Sequence, residues 1–144
     1  MNIVDNFLSK SEYDKLYNCI FGKINYTQQF PWFFNDTKIE GVDLDYNFQF
    51  VHNVIADSKI ESPLVLEVLK PLLNKLKPKG VIRIKINLTT KTHKLIKYPL
   101  HRDINIKDEK DIEKLKKDNY NIAIFYMNSN NGYTYFEDGK KVKS

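Results

Sequence analysis

At Gly80 the spacing of apolar side chains changes period, and that change restricts the chain to folds that pair helices with a sheet. Upstream, Val65, Val68, Leu69, Leu72 and Leu76 recur at helical intervals after Ser62-Pro63, where a capping hydroxyl precedes a proline that needs no amide partner. The spacing predicts a helix that ends at Pro78 and Gly80. It should bend or break at Pro71, whose missing N–H removes one backbone hydrogen bond. Downstream, Ile82, Ile84, Ile86 and Leu88 alternate with Arg83, Lys85 and Asn87, which is the period of a strand with one buried face. The fold class expected is therefore α+β.

Other segments extend this pattern. Ser9 and Glu12 have capping-box spacing and open a helix near 10–21, with Tyr13, Leu16, Tyr17 and Ile20 on one face and Gly22 as its stop. Residues 25–60 are rich in aromatics without a helical period, and YNFQFVHNV reads as a strand with alternating faces. After a polar turn at 89–92, LIKYPLHRD can run back as a second strand ending at Pro99 or shortly beyond it. Residues 107–118 hold five lysines against five acids and read as an exposed loop or short solvated helix. NIAIFYMN, at 121–128, is nearly continuous in apolar residues and predicts a strand buried on both faces. Asn131-Gly132 then marks a turn, YTYF a short strand, and Asp138-Gly139 a hairpin into KVK. No internal repeat or low-complexity tract interrupts the chain.

With 144 residues and 42% apolar content, the chain can build one core, so a single domain over 1–144 is expected. It contains no run of about 18 apolar residues, and its start has neither a basic n-region nor a long apolar stretch. A cytoplasmic protein without a membrane partner is the expectation. Cys19, the only cysteine, excludes an internal disulfide and any Cys-rich zinc site, and its helical position predicts a packed thiol. The net charge of +5 comes from lysines spread along the chain, which read as solvated faces rather than as a nucleic-acid footprint.

The residues with metal chemistry are His101 and Asp103. At a strand end, alternate side chains project from one face, so a His-x-Asp pair can grip one ion. A facial set of two histidines and one carboxylate leaves positions open on non-haem Fe(II). The pair alone is a short pattern, but its setting is specific: RIKINL, a turn, YPLHRD, then NIAIFYMNSNNGYTYFEDGKKV. That order resembles a group of Fe(II)/2-oxoglutarate-dependent dioxygenases related to prolyl 4-hydroxylases and often encoded by bacteriophages. FPWFFN near 30–35, FQFVHN near 48–53 and the helix before RIKINL resemble the same group. The resemblance spans essentially the whole chain and is most specific at 82–88, 98–103 and 121–139.

The resemblance implies a partial double-stranded β-helix, jelly-roll or cupin-like, with N-terminal helices packed on the sheet. Residues 1–80 would form a helical and aromatic support and 81–144 the first part of the β-core. His101 and Asp103 match the first two iron ligands, and Tyr126 matches a tyrosine whose hydroxyl reaches the distal carboxylate of 2-oxoglutarate. Asn87, on the polar face of its strand, is a candidate for the cosubstrate pocket. The implied cofactors are Fe(II) and 2-oxoglutarate, with ascorbate as a reductant. Decarboxylation of 2-oxoglutarate to succinate would accompany hydroxylation of a substrate that the sequence does not name, in the host cytoplasm if the gene is a phage's.

The family's later histidine and its 2-oxoglutarate-binding arginine have no counterpart before Ser144, so a C-terminally truncated, inactive chain is expected. His52 and His93 read instead as an aromatic-strand or pocket-edge residue and a turn residue. A jelly roll needs eight strands, and about five are legible after the helices. The alternative is a non-catalytic oxygenase-like binding or structural module, its basic surface formed by Arg83, Lys85, Lys140, Lys141 and Lys143.

Overall fold

The computed structural model describes residues 1–22, 30–43, 45–101, 110, 113–114, 117–118 and 120–143. It has the mixed α+β character expected, with two helices and antiparallel sheets and no closed barrel among the described residues. The chain forms two compact units, Met1–Lys91 and Thr92–Ser144. The strand after Gly80 therefore belongs with the helices that precede it.

In the first unit, helix α1 spans Lys10–Phe21. The Glu12 amide donates to Ser9 Oγ, and the Ser9 amide donates to the Glu12 carboxylate at 2.8 Å, so the reciprocal cap forms as its spacing predicts. Helix α2 spans Pro63–Leu76 and continues through Pro71 without a break. The proline removes the bond to the carbonyl of Glu67, an exposed residue where water can serve instead. Lys77 caps the helix in the left-handed region, its amide donating to the Leu73 carbonyl at 2.8 Å, and Pro78 follows.

The sheet is built around β2, Gln49–Ala56. Strands β1 (Phe33–Asn35) and β3 (Lys59–Ile60) pair antiparallel with its two ends, and β4 (Ile84–Leu88) pairs antiparallel along most of its length. Phe50 and Val51 have partners in both β1 and β4, and Ile55 in both β3 and β4, so β1 and β3 share one edge and β4 takes the other. The β2–β3 turn holds Asp57 and Ser58 at φ of 47° and 63°, the primed geometry that fits strand twist.

Asn53 faces Lys85 while Ile55 faces Ile84, so Val54 is an extra residue that bulges the strand. Val54 is fully buried, and its carbonyl accepts the amides of Glu61 and Ser62 at 2.9 and 3.2 Å. The bulge thereby fixes where α2 starts. Helix α2 packs on β2 and α1 packs on α2. Leu8, Leu16, Ile20, Ile39, Val54, Ile55, Val65 and Leu69 form the buried apolar core.

The second unit holds a hairpin of β5 (Tyr133–Tyr135) and β6 (Lys141–Lys143). Its loop forms as Asp138-Gly139 predicts: Gly139 adopts φ of +83°, its amide donates to the Phe136 carbonyl, and the Phe136 amide donates to the Lys140 carbonyl. Two other strands expected here are not found. Residues 95–101 join no ladder among the described residues, because Pro99 has no N–H to give and the Tyr98 carbonyl is taken by a side chain. Residues 121–127 join none either, and Ile122 and Ile124 are 58% and 53% exposed. A strand buried on both faces needs neighbours on both edges and a layer on each side, whereas the strands described in this unit are the two of the hairpin.

Candidate functional site

His101 lies exposed at the end of the segment that follows the first unit. Its Nδ1 is 3.4 Å from the Pro99 carbonyl. A proton on Nδ1 directed at that carbonyl would leave the lone pair on Nε2, one of the two ring nitrogens through which imidazole binds metals. Asp103 lies outside the described residues. Among the described residues no three His, Cys, Asp or Glu side chains come together as a metal-binding group. For Fe(II), the fit consists of the exposed imidazole at 101 and a carboxylate two residues on in the sequence.

The segment entering His101 is anchored by the hairpin. The Tyr135 hydroxyl donates to the Tyr98 carbonyl at 2.5 Å, and the Lys97 ammonium lies 5.0 Å from the centre of the Tyr135 ring. Burial pushes the Tyr98 phenol above its ordinary pKa. The half-buried Tyr126 donates its hydroxyl to Thr134 Oγ1 at 2.5 Å. In this structure that hydroxyl thus serves a bond between the apolar segment and β5.

Asn87 belongs to the first unit. It is exposed on β4 opposite Val51, on the polar face expected for it. His101 and Tyr126 share the second unit. His52 is 4% exposed on β2, with the Phe30 ring 4.5 Å and the Phe33 ring 6.3 Å away, centre to centre. Its Nδ1 meets the Pro31 carbonyl at 2.9 Å, and Nε2 has no partner among the described residues. It is an aromatic-strand core residue, as its surroundings in the sequence predict. His93 lies exposed in the turn region. Cys19 is half-buried on α1, and its desolvated thiol has a raised pKa.

One cluster escapes a residue-by-residue reading. Tyr133, Tyr135, Lys97 and Lys141 form two stacked cation–ring pairs, the second with Lys141 Nζ 5.1 Å from the Tyr133 centroid. The basic character of the Lys140–Lys143 tail is visible in the sequence, but its coincidence with tyrosines depends on strand register.

Comparison with family models, curated proteins and solved structures finds no match to this chain.

Proposed function

We propose that this chain contributes the His-x-Asp part of the metal centre of an Fe(II)/2-oxoglutarate-dependent oxygenase, within a partial double-stranded β-helix. The observation that carries the reading is the order of sequence features: alternating strand, His101-Arg102-Asp103, apolar segment, Asn-Gly turn and hairpin. Support comes from the hairpin at 133–143 and from the Tyr135–Tyr98 bond, which joins the segment leading to His101 to that hairpin.

His101 would hold the iron by its imidazole, whose Nδ1 lies 3.4 Å from the Pro99 carbonyl. Asp103, two positions along, supplies an anionic oxygen that offsets part of the cation's charge. Iron, 2-oxoglutarate and dioxygen, when bound, would supply hydroxylation of a substrate C–H bond, one oxygen atom passing to the substrate and the other to succinate as carbon dioxide leaves. Tyr126, whose hydroxyl donates to Thr134 Oγ1, would be the residue that meets the distal carboxylate of 2-oxoglutarate. His101 and Asp103 would be two of the three protein ligands of such a centre.

Anaerobic calorimetric titration with Fe(II), with and without 2-oxoglutarate, tests the proposal. One Fe(II) per chain is expected, bound more tightly when 2-oxoglutarate is present. His101→Ala and Asp103→Asn should each weaken uptake about tenfold or more, and Tyr126→Phe should reduce only the 2-oxoglutarate effect. Equal Fe(II) uptake by the parent and both ligand variants refutes the reading.

A further inference from the structure

One face of the β5–β6 hairpin gathers two tyrosine rings and several ammonium groups, of which Tyr135 and Lys97 also anchor the segment leading to His101. In an antiparallel pair, residues directly opposite each other project from the same face. Tyr133 opposes Lys143 and Tyr135 opposes Lys141, whereas Thr134 and Val142 oppose each other on the other face. The two rings meet edge to face at 6.3 Å. Lys141 leans diagonally over Tyr133, and Lys97 reaches Tyr135 from the neighbouring segment. All three lysines are exposed, while both tyrosines are half-buried. The acidic side chains of the hairpin, Glu137 and Asp138, sit in its loop, where Asp138 is paired with Lys140 at 2.8 Å.

We propose that this face binds single-stranded nucleic acid, its lysines meeting phosphates and its tyrosines meeting bases. Charge complementarity selects a polyanion, since Lys97, Lys141 and Lys143 converge on one face without an acidic residue opposite them in the ladder. The cation–ring contacts hold two ammonium groups in place before binding, which lowers the ordering cost of a phosphate contact. The rings select unpaired bases, because stacking on an aromatic side chain requires an exposed base face. Anionic lipid headgroups offer charge without that face. The inference is independent of the metal proposal, and it is tested on the metal-free chain, so either can fail without the other.

The experiment is fluorescence anisotropy of a labelled oligothymidine titrated with the full chain over a series of KCl concentrations. Binding should weaken linearly in log affinity against log salt. The double variant Lys141→Gln, Lys143→Gln should lose about 1.4 from the magnitude of that slope, at about 0.7 per phosphate contact. It should also bind about tenfold more weakly at low salt. Tyr133→Leu should weaken binding about tenfold without changing the slope. Lys15→Gln with Lys79→Gln, an equal charge change on the first unit, should leave both unchanged. The proposal is overturned by no binding at the lowest salt, or by an unchanged slope in the lysine variant. Equal affinity for a duplex or for phosphatidylserine vesicles overturns it as well. Circular dichroism verifies folding, and if Tyr133→Leu unfolds, the exposed lysine pair decides the outcome.

Discussion

Truncating Leu16 to alanine tests whether the first unit is held together by α1 on α2. Leu16 is 1% exposed, whereas Leu64, at the start of α2, is 82% exposed. Leucine to alanine removes three carbons, worth about 2.4 kcal/mol at about 0.8 kcal/mol per buried methylene. A residual cavity brings the expected loss to about 3–4 kcal/mol, within the usual range for buried leucines. A unit of this size commonly has a total stability of about 5–14 kcal/mol, so one substitution should remove a large share. Trp32, the only tryptophan, lies in this unit with the Phe30 ring 4.8 Å away, so its fluorescence in a urea titration reports on the unit. With a slope of about 2 kcal/mol/M, Leu16→Ala should lower the urea midpoint by about 1.5–2 M. Leu64→Ala should move it by about 0.25 M or less. Equal shifts for the two variants, or a Leu16→Ala loss below about 1 kcal/mol, would refute the packing described here.

Three further perturbations probe local devices. Hydrogen bonds from Ser9 and the Lys75 ammonium hold the Glu12 carboxyl at about 2, below its ordinary 4.5. Its folded pKa is depressed, so its stabilisation is present above pH 4.5 and lost as pH falls towards 2. The Trp32 urea midpoints of parent and Glu12→Gln should differ at neutral pH and converge through that window; a gap that persists at pH 2 contradicts the assignment. Ser58→Gly should raise the same midpoint by about 0.5–1 M, because glycine relieves a left-handed residue at a cost of about 1–2 kcal/mol. An unchanged or lower midpoint would count against the primed turn. Tyr135→Phe removes the hydroxyl bonded to Tyr98 and should destabilise the second unit by about 1 kcal/mol. Faster amide exchange at Leu100 and His101 is the measurement; unchanged exchange would mean that the bond does not anchor the segment.

The helices were legible because their signals are local. Ser9 and Glu12 satisfy each other's amides within one turn, and α2 opens at Ser62-Pro63 as predicted, although the Ser62 hydroxyl makes no capping hydrogen bond. Pro71 does not break α2, since one missing N–H does not stop a helix whose Val65 and Leu69 are buried. Strands were less legible, because an apolar run records a need for burial without supplying the edge that meets it. The alternation at 82–88 found β4, but the ladder begins at Ile84, while the Ile82 carbonyl accepts the Ser58 amide instead. The run at 121–127 has no such partner strand among the described residues. For the candidate site, sequence identifies His101 and Asp103, and the structure describes only the first. The Tyr–Lys face required the register Tyr133–Lys143, a non-local fact that neither YTY nor KVK contains alone.

Backbone satisfaction explains why the hairpin matters to the segment before His101. A strand is ordinarily held by repeated N–H and carbonyl bonds, yet Pro99 cannot donate, and Tyr98 gives its carbonyl to the Tyr135 hydroxyl. Lys97 adds a contact to that same ring. Tyr135 thus grips two consecutive residues through groups on one side chain, in place of a ladder. Such a latch fixes position at one point and constrains direction less than a row of ladder bonds would. The same tyrosine lies on the face assigned to nucleic acid, so Tyr135 and Lys97 are common to the anchoring of the segment before His101 and to the Tyr–Lys surface.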